Sequence, residues 1–327
     1  MPSARIIPGV QVTTTGLDGE EPGGRMRGMT SLLTPACTVR TGSQEWTKQV
    51  LYVRVSLEAG PRIDTVSIIF PAFAPLDAAP GDDVVLSLDS GEQDDTVFTG
   101  IVDRIRRTPS VTIVNAINAG GVLARTRPSV TFDHITGGGV VRQLCSEAAV
   151  DPGDIDAGVS LPYYVADPDR TAWQHITRLA AWGGAIVTVS SDNAVNAVVV
   201  DAQQADLALR YGREILDFSF DEDASHIDTF STAGETGVGA ADASLCTSTG
   251  ACGRVNAFLQ PKIRPGSIIE LHDMPSGIPQ QPLWVRRVEH ALSADVATTR
   301  IDVAWGGESF DPTALLGSLG GAIGALR

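Results

Sequence analysis

The chain of 327 residues carries 24 lysines and arginines against 39 aspartates and glutamates, a formal charge of −15, with 43% hydrophobic, 19% charged and only 6% aromatic residues. Single cores seldom grow past about 250–300 residues, so this length predicts two or three domains, and the composition predicts a soluble globular protein. The acidic balance disfavours a phosphate-binding surface, because nucleic acid is repelled more than held; it suits solubility, or a surface past which acidic cargo slides without sticking.

The first residues, Met1 to Pro8, hold no long apolar core, and no apolar stretch of the chain is long enough to span a bilayer. The expectation is therefore a protein folded in a cytoplasm. Residues 16–30, beginning Gly16-Leu17-Asp18-Gly19-Glu20-Glu21-Pro22-Gly23-Gly24-Arg25, are rich in Gly, Pro and charge without a period and read as a loop. From Gln49 the pattern turns to strands. Residues 50–57 and 65–70 are β-branched, alternate in part, and are bounded by Gly and Pro. Residues 83–89 follow Pro80-Gly81, and the acidic turn Gly91-Glu92-Gln93-Asp94-Asp95 leads into 96–102, which predicts a hairpin. With a further strand at 110–116, residues 46 to about 118 predict an antiparallel sheet or small barrel.

A helical period follows. Gly137-Gly138-Gly139 precedes Val140, Val141, Leu144, Cys145 and Ala148, spaced to line one face of a helix that ends before Asp151-Pro152-Gly153. Asp169 reads as the N-cap of the next helix, in which Trp173, Ile176, Leu179 and Ala180 share a face and Gly183-Gly184 is the stop. Residues 185–190 and 194–200 flank Ser191-Asp192-Asn193 and predict a hairpin. Two helices beside a hairpin form an insert, after which the sheet pattern returns. Strands are expected at 215–220 and 255–259, then after the Arg264-Pro265-Gly266 turn, and finally at 282–290 and 298–305. The tail from Leu315 to Leu326 is apolar but Gly-rich, a poor isolated helix whose leucines call for a partner chain.

No grouping of residues marks a reaction. Four cysteines, Cys37, Cys145, Cys246 and Cys252, make no disulfide framework in a chain this long. Cys145, on the apolar face of the first helix, is expected to be buried and inert. Cys246 and Cys252 share a Gly/Ser/Thr-rich loop that fits either a disulfide or two free thiols; their spacing is wrong for a zinc knuckle, and no second pair or nearby His follows. His134, His175, His226, His272 and His290 show no metal-ligand spacing. His175, off the apolar face of its helix, is expected at the surface or an interface. His226 lies in the acidic run Asp221 to Asp228, which lacks the Gly and late Glu of an EF-hand loop and reads as a solvated turn. Gly137-Gly138-Gly139 lacks the Lys-Ser/Thr and the preceding parallel strand of a phosphate cradle, and no G-x-S-x-G elbow occurs. Paired carboxylates serve glycosidases, but nothing marks two as buried together, and Asp103 and Asp217 read as exposed as readily as buried.

Six pieces stand in order over residues 46 to 310: Val97-Phe98-Thr99-Gly100-Ile101-Val102; the helix Val140-Val141-Arg142-Gln143-Leu144-Cys145-Ser146-Glu147-Ala148; a polar-capped helix with Trp173, Leu179-Ala180 and Gly183; Arg264-Pro265-Gly266; Val285-Arg286-Arg287-Val288-Glu289-His290; and Thr298-Thr299-Arg300-Ile301. The set resembles the hub proteins of phage-type baseplates, the late control protein D family, related to the N-terminal part of VgrG spike proteins. The fold class this implies is α+β, mainly β, with two tube-like antiparallel β-barrel domains and a small α/β insert. The division expected is an N-terminal arm and loop at 1–45, a first β-barrel region at 46–118, the insert at 119–212, a second β-barrel region at 213–310 and the apolar tail at 311–327.

The resemblance implies a structural subunit and not an enzyme, with no catalytic, cofactor-binding or metal-binding residue assigned; Trp173 and Leu179 are expected to pack the insert. It implies a homotrimeric ring adapting a hexameric tail tube to a trimeric spike, in the baseplate of a phage tail or contractile injection system assembled in a bacterial or archaeal cytoplasm. Expected partners are further copies of the chain, the tail tube protein, a separate spike protein and other baseplate proteins, with no membrane anchor and no specific nucleic-acid binding. The spike is expected to be separate because the chain stops near residue 327, short of an oligonucleotide-fold domain, a β-helix needle or a lysozyme-like domain. Ring formation would close the exposed edges of neighbouring barrels. Readings from other classes are a cell-wall glycan hydrolase of a tail tip and a carbohydrate-binding β protein of a cell surface, the latter disfavoured by few aromatics and no signal. The arm and the tail are assigned to contacts with neighbouring subunits. Deleting Leu315 to Arg327 is expected to lower the yield of assembled particles while leaving the strand content unchanged by circular dichroism; wild-type yield from the truncation counts against that assignment.

Overall fold

The computed structural model describes residues 35–156, 158–199, 205–222, 251–278 and 282–305. The loop expected at 16–30, His226, Cys246 and the tail at 315–326 lie outside them. The first strand-rich region contains β1 (Ala36–Thr41), β2 (Gln44–Trp46), β3 (Tyr52–Glu58), β4 (Thr65–Pro71), β5 (Asp83–Asp89), β6 (Asp94–Arg107) and β7 (Val111–Ile117). The insert follows as α1 (Ala119–Leu123), β8 (Val130–Thr136), α2 (Gly137–Glu147), β9 (Pro152–Ile155), β10 (Ser160–Ala166), α3 (Ala172–Trp182), β11 (Ile186–Val189) and β12 (Val195–Val198). The chain then returns through β13 (Leu207–Arg210), β14 (Ile215–Glu222), β15 (Ala251–Phe258), β16 (Ile268–His272), β17 (Leu283–Ser293) and β18 (Ala297–Trp305). The protein is mainly β with a small α/β insert.

Strands from before and after the insert join one 13-stranded sheet, in the order β14-β15-β18-β17-β3-β4-β7-β6-β5-β1-β2, with β16 pairing β17 and β13. Alternation explains the layering. In β5, Val84, Leu86 and Leu88 point to the core while their neighbours face outward. The seam between the halves is the antiparallel pairing of β3 with β17, from Arg287 opposite Glu58 to Ser293 opposite Tyr52. One apolar core serves both halves, since Val53, Ile68 and Phe98 belong to the same cluster as Val255, Ile263 and Val303.

The insert has its own core, in which Trp173, Ile176 and Leu179 of α3 meet Val140, Leu144 and Cys145 of α2. Its helix starts differ from expectation. Gly137, Gly138 and Gly139 form the first turn of α2 instead of preceding it, because Thr136 Oγ1 accepts from Gly139 N at 3.1 Å and caps the helix one residue upstream. Asp169 does not cap α3: Thr171 Oγ1 accepts from Gln174 N at 3.2 Å while Gln174 Oε1 accepts from Thr171 N at 2.9 Å. This reciprocal box satisfies two main-chain donors and places the cap two residues later. Gly183 ends α3 as expected. His175 is also not a surface residue. Its Nε2–H donates to Asp167 O at 3.0 Å and its Nδ1 accepts from Tyr164 Oη at 2.8 Å, because β10 and the turn after it cover that flank of the helix.

The glycine of the Val97-Phe98-Thr99-Gly100 segment has a steric reason. A Cβ at Gly100 would stand 2.2 Å from Ile117 O and 3.0 Å from Asn118 Cα, where β6 crosses the end of β7. These are main-chain atoms, which leaves nothing flexible to yield. Gly100→Ala is expected to destabilise the protein by about 1–3 kcal/mol, read as a lower midpoint in urea unfolding; an unchanged midpoint would show that the strands can part here.

Candidate interaction site between insert and sheet

The turn between β3 and β4 holds the insert. Gly60 N donates to Val187 O at 2.8 Å, and Trp173 Nε1 donates to Pro61 O at 2.6 Å. Asp64, at 4% exposure, accepts from Glu58 N and from Asn118 Nδ2, both at 2.7 Å. Asn118 also caps α1, its Oδ1 accepting from Gly120 N at 3.1 Å. Burial pushes the Asp64 carboxyl up to about 7, against the opposing pull of its two donors and of Arg264. The two parts of the molecule thus meet on buried polar bonds.

Beside this turn lies a cleft of about 760 Å³ between α3 and β11 of the insert and the outer face of β3, β15, β17 and β18. Arg62, Arg178, Arg254, Arg286 and Arg287 line it, against only two carboxylates, Glu58 and Asp302. Each carboxylate is shared. Glu58 lies 3.7 Å from both Arg62 and Arg287, while Asp302 lies 2.8 Å from Arg254 and 3.8 Å from Arg300. Arg178 stacks on Trp182 at 4.9 Å. Arg286 and Arg287 face the cleft together because β17 slips register between Val285 and Arg287, and such a bulge turns neighbouring side chains to one side. The sequence carries this signal: the doublet Arg286-Arg287 interrupts the alternation of residues 282–290.

A second polar contact ties the halves of the sheet. Arg264, in the loop before β16, donates to Val97 O at 2.6 Å, to Thr96 O, and to Asp95 Oδ2 at 3.2 Å. Behind it His290 is fully buried, with Nδ1 2.9 Å from Thr299 Oγ1. Burial, and secondarily the nearby Arg264 charge, hold its ring down at about 3.

The residues weighed for chemistry do not converge. Cys145 is buried in α2, where burial raises its thiol to about 11; Cys37 is half-buried on β1, and Cys252 is exposed at the cleft. His134 is exposed on β8 and His272 faces Glu270 at 3.5 Å. Asp103 on β6 pairs with Arg125, and Asp217 is exposed on β14, seven strands away in the sheet order. Among the described residues no three His, Cys, Asp or Glu side chains group to hold a metal, and no helix is long and apolar enough to cross a membrane.

No protein-family model and no curated protein matches the chain. Solved structures do match its fold. A tail protein from Neisseria meningitidis superposes with a TM-score of 0.67 at 14% identity, covering 84% of this chain and 98% of that one. The 43 kDa tail protein of prophage MuSo2 from Shewanella oneidensis gives 0.65 at 10% identity, covering 83% and 98%. The E. coli c3393 protein, a type VI secretion component described as structurally similar to the T4 tail proteins gp27 and gp5, gives 0.62 at 11%, covering 83% and 78%. The chain has the fold of phage tail and type VI secretion tail-like proteins.

Asp64 and His290 set opposite pH dependences. Asp64, raised from 3.8 to about 7, contributes stability fully present below pH 3.8 and lost as the pH rises to about 7. His290, lowered from 6.5 to about 3, contributes stability fully present above pH 6.5 and lost as the pH falls towards 3. Between about pH 4 and 6.5 the two slopes cancel. In Asp64→Asn, stability is expected to rise with pH across this window by about 1.4 kcal/mol per unit, and in His290→Asn to fall by a similar amount. Urea midpoints measured at pH 4.5, 5.5 and 6.5 would check both signs, and parallel profiles for the two variants would refute the assignment.

Proposed function

We propose that this chain is a structural hub subunit of the baseplate of a phage tail or contractile injection system. Three copies form a ring that adapts a hexameric tail tube to a trimeric spike. The strands β1 to β7 and β13 to β18 supply the tube-like β layers, and the insert from α1 to β12 stands beside them. The observation that carries this reading is the shared fold over 98% of two tail proteins. The exposed side chains of Leu51, Phe73 and Val296 support it: they lie at the sheet end where β3 begins, β4 finishes and β17 turns into β18. Apolar groups gathered at a sheet end suit stacking against another ring. The role is mechanical, and the partners are the tube protein, a separate spike protein and other baseplate proteins.

Native mass measurement of the purified chain, alone and mixed with the tube and spike proteins encoded beside it, tests the reading. A trimer that joins both partners is expected. A chain that stays monomeric in the mixture and clears a cell-wall glycan zymogram would overturn it in favour of a tail-tip hydrolase.

A further inference from the structure

We infer that the arginine cleft between the insert and the sheet seats an extended acidic polypeptide segment from another protein of the particle. The inference rests on the hub reading only for where that protein comes from. In a chain with a formal charge of −15, five guanidiniums against two carboxylates in one cleft is a local reversal of sign. The reversal is built into the fold. The β17 bulge turns Arg286 and Arg287 to the same side, and Ala59 N holds the bulge by donating to Arg286 O at 2.9 Å. Glu58 and Asp302 already serve two guanidiniums each, and Arg286 has no carboxylate partner among the described residues.

The lining points to carboxylates carried on a peptide. Guanidiniums form forked, charge-assisted bonds to carboxylates, and those bonds strengthen in a cleft walled by α3 and β11. A small apolar ligand is poorly matched, because such ligands sit in enclosed apolar pockets with few polar groups. Nucleic acid is disfavoured by the acidic field of the whole chain and by the two carboxylates interleaved with the arginines. An extended acidic segment can place alternate side chains on Arg254, Arg286 and Arg287 while its other face stays in solvent.

Fluorescence anisotropy of the full chain with labelled octaglutamate tests this, with octalysine and an octathymidylate as comparators. Octaglutamate is expected to bind, to weaken with added salt, and to lose about tenfold or more in affinity in Arg286→Glu but not in Arg106→Glu, an exposed charge on β6 outside the cleft. Arg286→Gln, a milder change, serves if the reversal does not fold, and a loss of several-fold is then expected. Three results would overturn the inference: no octaglutamate binding, equal binding by both variants, or tighter binding of octathymidylate. Loss of self-association in Arg286→Glu without peptide binding would assign the cleft to a second copy and overturn it as well. The peptide assay does not require a trimer, so its failure is distinct from failure of the hub reading.

Discussion

Arg264 donates to two main-chain carbonyls and one carboxylate on β6, 167 to 169 residues earlier in the chain. Those groups belong to the first strand-rich half, while Arg264 belongs to the second. Hydrogen bonds to a charged donor contribute about 1.5–3 kcal/mol each, and the carbonyls of Thr96 and Val97 would lose a buried partner without it. The β3–β17 seam joins the halves as one sheet, and Arg264 fastens them at a second place. His290 lies close enough to feel the same charge, which adds to the larger effect of burial in keeping its ring neutral.

The turn between β3 and β4 holds the insert by polar bonds, and Arg125 adds an ion pair to Asp103 of β6. Gly60, Pro61 and Asp64 offer a donor, an acceptor and a buried carboxylate, and Val187, Trp173 and Asn118 meet them. Hydrogen bonds fix register where an apolar contact permits sliding, so α3 and β11 are held at a set distance from the sheet. The cleft lies beside this attachment, between α3 and β11 and the sheet.

Charge is distributed to match. The chain is strongly acidic, yet the outer face of β3, β15, β17 and β18 carries arginines that share a few carboxylates. Exposed ion pairs of this kind contribute little to stability, about 0–1 kcal/mol each, so their arrangement is better explained by recognition than by folding.

Much of the fold was legible in the residues themselves. Alternation over residues 83–89 and 65–70 predicts β5 and most of β4, because a half-buried strand must alternate. The apolar face of Trp173, Ile176, Leu179 and Ala180 predicts α3 for the analogous reason at helical period. Elements such as β9 and β13 carry too few residues for a period to show, and β8, as long as β5, has only Phe132 buried and so shows no alternation; they were missed. The burial of His175 was missed too, because what covers a helix flank depends on which strand packs there. Sequence by itself determined the class, the insert within a split sheet and the want of a catalytic constellation as an expectation, since these rest on local period and on residue type. Only the tertiary structure decided that both halves form one sheet, that Arg264 fastens them and that five scattered arginines line one cleft, because each joins residues far apart in the chain, and local pattern carries no information on which distant strands will pair.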